Sequence, residues 1–280
     1  MRLFLLLVLL VSLFLPSSCK KYQPADATFF IRASKVSVSP VYDGGSTSNK
    51  ITDLWLYVNG KYQGAYPVGN LMPIISNNSP VRLNIFAGIT NNGIADTRIF
   101  YPFYDFLTID TLVENGKTIE RSFIFKYKSA TTFTWTENFD NGISSTLQRS
   151  GTSIFTVKSI SNSDAFENRS LEVDLNTDTM SAQLESSNSY YLPQSSSNVY
   201  LELNYKCDAA FTVGLIGDDG SPRPALVVNA QPNWNKIHIQ LSTAVSSQPP
   251  SLKFKVYFLF LKTDTETRRF FLDNIKLLYL

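Results

Sequence analysis

Apolar and polar residues alternate with a period of two along most of the chain beyond residue 28, and this pattern limits what the chain can fold into more than any other feature. Ile237, Ile239 and Leu241 fall on one parity, with Lys236, His238 and Gln240 on the other. Leu201, Leu203, Tyr205 and Cys207 alternate in the same way with Glu202, Asn204 and Lys206. A one-residue slip would turn either apolar set outward, so both segments carry a firm register as strands. Asn59-Gly60 between Ile51–Val58 and Lys61–Tyr66 is a hairpin signal, because both turn residues tolerate positive φ. With 20 Phe, 14 Tyr and only 17% charged residues, the composition also favours pleated surfaces. No amphipathic helix longer than two turns is evident. The sequence predicts an all-β protein of two β-sandwich domains. About seven strands over 28–130 form a domain of immunoglobulin-like size, and further strands over 131–280 form the second. Strands expected in the second include Ser153–Ser159, Ser170–Leu175, Phe211–Ile216, Leu252–Leu261 and Phe270–Leu280.

The N-terminus has a different character. Arg2 precedes an apolar run from Leu3 to Leu15. As a helix, thirteen residues reach about 20 Å, short of the roughly 30 Å hydrocarbon core. The run reads as the core of a signal peptide over 1–18 rather than a membrane span. Pro16-Ser17-Ser18-Cys19 follows, then KKYQPADA, a polar tether completing the segment 19–27.

Leu15, Ser17, Ser18 and Cys19 resemble the lipobox of bacterial lipoproteins, which implies cleavage before Cys19 and acylation of that residue. Leu15 stands one place further from the cysteine than the usual pattern, and Pro16 takes the place of the usual leucine. The alternative is an ordinary signal peptide with Cys19 a bystander. The segment ITDLWLYVNGKYQGAYPV, with GITNNGIADTRIFYPF, resembles the N-terminal half of a group of two-domain lipoproteins from Bacteroidota. The pair TWTENFDNG and FFLDNIKLLYL is similar to jelly rolls of the carbohydrate-binding-module and galactose-binding-like kind. That second resemblance implies a structural Ca²⁺ held by Asp273 with Glu137 and Asp140. By parity, Asp273 shares a face with Phe271, Ile275 and Leu277, so its carboxylate needs compensation from a cation or from hydrogen bonds.

Tyr190 and Tyr191 lie between Ser- and Asn-rich stretches, where a ring could stack on a sugar or cap the core. Gly217-Asp218-Asp219-Gly220 reads as a turn, with Asp218 and Asp219 as candidate ligand contacts. The aromatic stretch Tyr101–Phe106 reads as packing between domains or as an exposed patch. His238, the single histidine, is expected on a solvent-facing strand surface, and Cys207 as a buried thiol. Asp110-Thr111-Leu112 and Asp178-Thr179-Met180 resemble the three-residue O-glycosylation signal of exported Bacteroidota proteins.

Two cysteines and one histidine leave no Cys-rich or His-rich metal motif. A net charge of +2 without a basic stripe argues against nucleic acid as a partner. No catalytic motif is visible, and no enzyme activity is expected. The expectation is a lipid-anchored envelope protein, on the outer membrane because Lys20 is not the inner-membrane retention aspartate. Its periplasmic or surface side is left open. Its function is non-enzymatic binding or adhesion, with polysaccharide as the ligand class. The rival readings are a structural lipoprotein that binds another envelope protein, and a glycan hydrolase with paired carboxylates.

Overall fold

The computed structural model describes residues 28–280 apart from 42–44, 77–79, 113, 143–145, 152–154, 195–197 and 247. The signal peptide, Cys19 and the tether therefore lie outside the described residues.

The chain is all-β and forms two sandwiches. Strands β1 (Thr28–Val38), β2 (Asp53–Val58), β3 (Lys61–Pro67), β4 (Leu71–Ile75), β5 (Val81–Thr90), β6 (Arg98–Phe100), β7 (Leu107–Thr111) and β8 (Thr118–Phe125) make the first. One sheet has the order β4-β1-β8, with β1 and β8 parallel. The other runs β3-β2-β5-β6, with β7 on the opposite half of the same β5 edge. Asn59 at φ 50° and Gly60 at φ 79° close the β2–β3 hairpin, as the Asn-Gly pair implies. Between the sheets, Phe29, Leu56, Leu83, Ile85 and Phe125 are fully buried.

The second sandwich holds β9 (Thr132–Glu137), β10 (Leu147–Ser150), β11 (Thr156–Ile160), β12 (Ser170–Leu175), β13 (Ser181–Ser186) and β14 (Tyr190–Tyr191). It continues with β15 (Val199–Cys207), β16 (Phe211–Gly217), β17 (Pro222–Val228), β18 (Gln231–Gln240), β19 (Lys253–Leu261) and β20 (Arg268–Tyr279). Two five-stranded paths, β10-β13-β19-β16-β17 and β11-β12-β20-β15-β18, form a jelly roll, with β14 added to β19 and β9 to β20. Its core contains Leu201, Leu203, Tyr205, Phe258, Phe260 and Phe270. Cys207 is buried there, and burial pushes its thiol up to about 11, so it stays protonated and inert.

One expected face assignment is corrected. Phe271 does not share a face with Ile275 and Leu277. Phe270 and Leu272 point into the jelly-roll core together with Ile275 and Leu277, so the parity switches between 272 and 275. The β15–β20 register shifts between Glu202 and Asn204, and Asn274 takes φ 48°. This bulge adds a residue to β20 and turns the strand over.

The sandwiches meet across a buried interface. β15 is covered on both faces, because its polar side packs on the first domain rather than facing solvent. Tyr200 and Leu278 join the core of the first sandwich, and Phe103 and Tyr101 pack edge-on against Tyr200. Thus Tyr101, Phe103 and Tyr104 are interdomain and core residues, while Phe106 is exposed. The turn Asn91–Gly93 docks on β18: Gln240 N donates to Asn92 Oδ1 and Asn91 Nδ2 donates to Gln240 Oε1. Thr28, where β1 begins, lies at the opposite pole of the first sandwich, beside Ile75 and Gly116.

Candidate functional site

At one end of the sheet that contains β19, two of the expected ligand residues share a row. Tyr191 of β14 is the register partner of Lys253, and on the other side of β19 the Asp218 N–H donates to the Lys253 carbonyl at 3.0 Å. Phe254, the next residue, is fully buried, so this row faces outward. Tyr191 is 59% exposed, and the Lys253 ammonium sits 4.7 Å from its ring centroid. Tyr190 turns inward and stacks on Trp135 at 6.3 Å, the core-capping role. Asp219 pairs with Arg223 at 2.9 Å and accepts from Ser221 N, and the Arg223 bond holds its carboxyl down at about 2. It serves the β16–β17 turn.

Beside this row lies an open groove of about 510 Å³ lined by Tyr191, Leu192, Pro193, Gln194, Pro250 and Tyr279. Gln194 Nε2 donates to the Pro249 carbonyl and ties the two loops that wall it. Among the described residues no carboxylate lines this groove. A second concavity, about 450 Å³, includes Asp208 and Asp264. Asp264 pairs with Arg268, and Asp208 accepts from Arg269 N, so both acids are engaged as structural acceptors.

The three residues expected to hold calcium, Glu137, Asp140 and Asp273, each accept hydrogen bonds within the protein, Asp140 from Asn138 Nδ2 at 2.8 Å. Among the described residues no group of three or more His, Cys, Asp or Glu comes together for a metal ion. Glu137 accepts from Phe139 N at 2.8 Å and from Thr146 Oγ1 at 2.5 Å. Asp273 accepts from Ser170 Oγ at 2.7 Å and from Asn274 N at 2.6 Å, which stabilises the bulge. Burial, with Glu167 and Asp140 nearby, pushes the Asp273 carboxyl up to about 7 despite those two bonds.

A buried charge cluster lies between the domains and includes His238, which the sequence placed on a solvent-facing surface. That expectation is corrected: the polar face of β18 is covered by the first domain, and His238 is 2% exposed against the Tyr101 ring at 4.7 Å. Beside it, fully buried Glu202 pairs with Lys236 at 2.9 Å and Lys276 at 3.9 Å. It also accepts from Tyr101 OH at 2.7 Å and Tyr127 OH at 2.9 Å. Burial alone would raise the Glu202 carboxyl, but Lys236, Lys276 and His238 outweigh it and hold the group well below the ordinary range. Burial pushes Lys276 down to about 8 and His238 down to about 3. With its carboxylate saturated by donors and shut from solvent, this cluster serves as a structural joint.

No family model matches the sequence, and no curated protein matches it. Solved structures similar to parts or most of the chain include a study of carbohydrate-binding modules from the β-sandwich superfamily. That structure is 13% identical, spans 91% of this chain and 99% of its own, and has a TM-score of 0.42. A family 61 carbohydrate-binding module in complex with β-1,4-galactotriose is 16% identical over 51% of this chain and 94% of its own, with a TM-score of 0.36. A family 29 module variant complexed with cellulohexaose is 9% identical over 54% and 93%, with a TM-score of 0.38. Likeness at these values leaves the fold to rest on the strands themselves and the function on this chain's own surfaces.

Proposed function

We propose that the chain is a lipid-anchored envelope protein whose jelly roll binds glycan without turning it over. The observation that carries the ligand class is the groove beside Tyr191. An exposed ring face, two prolines and a second tyrosine give an apolar floor suited to the C–H face of a sugar. Gln194 in the lining and the Lys253 ammonium beside Tyr191 supply polar groups for hydroxyls. Turnover would need two facing carboxylates, and the groove's described lining is Tyr191, Leu192, Pro193, Gln194, Pro250 and Tyr279.

The anchor is Cys19, on the outer membrane. The eight tether residues 20–27 reach at most about 29 Å. Because Thr28 enters at the pole away from the second domain, the jelly roll is then carried on the far side of the first sandwich. Intact mass of the protein from its host should carry acyl chains at Cys19, and an unmodified thiol would remove the anchor from the reading.

On a glycan array, residues 20–280 should bind at least one polysaccharide class. Tyr191→Ala should weaken that binding tenfold or more, a loss of about 1.4 kcal/mol. A native chain that binds no glycan, or a Tyr191→Ala chain that binds like the native one, counts against the groove.

A further inference from the structure

The outward face of the β3-β2-β5-β6 sheet in the first sandwich is aromatic. Trp55 and Tyr57 from β2, Tyr62 from β3, Phe86 from β5 and Phe100 from β6 form a closed circuit of rings, with neighbouring centroids 5.3–6.0 Å apart. Phe106 extends the circuit from Phe86 at 4.9 Å. Tyr62, Phe100 and Phe106 are 52%, 46% and 47% exposed. These residues share the parity opposite to Leu54, Leu56, Leu83 and Ile85, which are buried between the sheets.

Two details show how the face is arranged. At Gly88, the register partner of Phe100, a Cβ would come within 2.7 Å of Trp55 Nε1. The missing side chain lets the indole lie down on the sheet, and its Nε1 is left buried without a partner. Ion pairs also stand at both ends of the strip on the same face. Arg82 and Asp110 are joined by two bonds, 2.8 and 3.2 Å, both residues well exposed. Arg98 reaches Asp53 at 2.7 Å across the other end. Along β5 the strip from Arg82 to Gly88 is about 20 Å long.

We infer that this face is a second glycan-binding surface, one that takes a run of several sugar rings along the strip. A flattened indole offers a face on which a sugar ring can stack, with Phe100 edge-on beside it at 81° and Tyr62 tilted at 36° on its other side. Sugar hydroxyls both donate and accept, so they satisfy the exposed Arg82 guanidinium and Asp110 carboxylate together; at the other end they reach the half-exposed Arg98, whose partner Asp53 is fully buried. A bilayer fits less well, because seating the strip in lipid would carry Arg82, Asp110 and Arg98 with it. The site extends the glycan reading to the other domain but does not use the Tyr191 groove, so each can fail alone.

Residues 20–280 should be run in native gels cast separately with barley β-glucan, xyloglucan, galactomannan and pectic galactan. The expected result is retardation by at least one of them. Apparent affinity should fall at least tenfold in Trp55→Ala and in Phe100→Ala and should be largely kept in Trp55→Phe. Retardation that survives Tyr191→Ala and is weakened in Trp55→Ala and Phe100→Ala assigns it to the strip, and retardation abolished by Tyr191→Ala alone overturns the second site. Migration unaffected by all four polysaccharides also overturns it. So does retardation equal in native, Trp55→Ala and Phe100→Ala chains, or a protein partner crosslinked through position 62 in place of glycan.

Discussion

Glu202→Ala is expected to destabilise the protein by about 3–5 kcal/mol, because it removes one member of a buried ion network and leaves the others. The carboxylate is fully buried and receives Lys236, Lys276, Tyr101 and Tyr127. Without it, two ammonium groups from the jelly roll face two tyrosine hydroxyls from the first sandwich with no acceptor between them. Because the network spans the interface, the loss should also separate the domains in unfolding. Denaturant unfolding of the native chain should give one transition, and Glu202→Ala should give an earlier transition or two. Glu202→Gln keeps the shape and should fall between. An unchanged midpoint in Glu202→Ala would show that water reaches the cluster.

A second large effect concerns pH. His238 has a folded-state value of about 3 against an ordinary 6.5. Burial lowers it first; Lys236, Lys276 and Lys50 add to this, and Glu202 opposes them. A histidine depressed in the folded state binds its proton more readily when unfolded. Its contribution is therefore fully present above about 6.5 and is lost as pH falls from there towards 3. Each unit crossed costs up to about 1.4 kcal/mol, so acidification to pH 4–5 should remove a few kcal/mol. The Glu202 carboxyl, also held low, has the same sign but acts below its own unfolded value, near 4.5. Between pH 7.5 and 5 the Asp273 carboxyl, pushed up to about 7, acts with the opposite sign, so the histidine is read from the difference between the native and His238→Gln melting curves. The native chain should lose stability relative to His238→Gln as pH falls over that range. Parallel slopes would mean that His238 is solvated.

Much of the architecture is legible in the sequence because alternation reports burial directly. The Leu201–Cys207 and Ile237–Leu241 segments have the register their apolar parity requires. What alternation does not report is the partner of the polar parity. Glu202, Lys236 and His238 face away from the jelly-roll core, yet a second domain covers them, and a two-residue period is the same in either case. The Asp273–Asn274 bulge was illegible for a related reason: one added residue reverses parity, and no glycine marks the place. β17 escapes a propensity reading because Pro222 and Pro224 argue against a strand; it is tolerated at the end of the sheet order, where a missing N–H costs no ladder bond. The candidate site was half visible. Tyr191 and Asp218 flank Lys253 on opposite sides of β19, whereas Tyr190 is drawn under by Trp135 and Asp219 by Arg223. The aromatic strip did leave a signal, since Trp55 and Tyr57 occupy the parity of β2 that would ordinarily be polar.

Binding without turnover is tested most directly by incubating residues 20–280 with a polysaccharide that retards it and measuring bound protein and new reducing ends in the same tubes. Saturable binding with reducing ends no higher than in buffer is the expected result. Reducing ends that accumulate with time and scale with the amount of protein would contradict it.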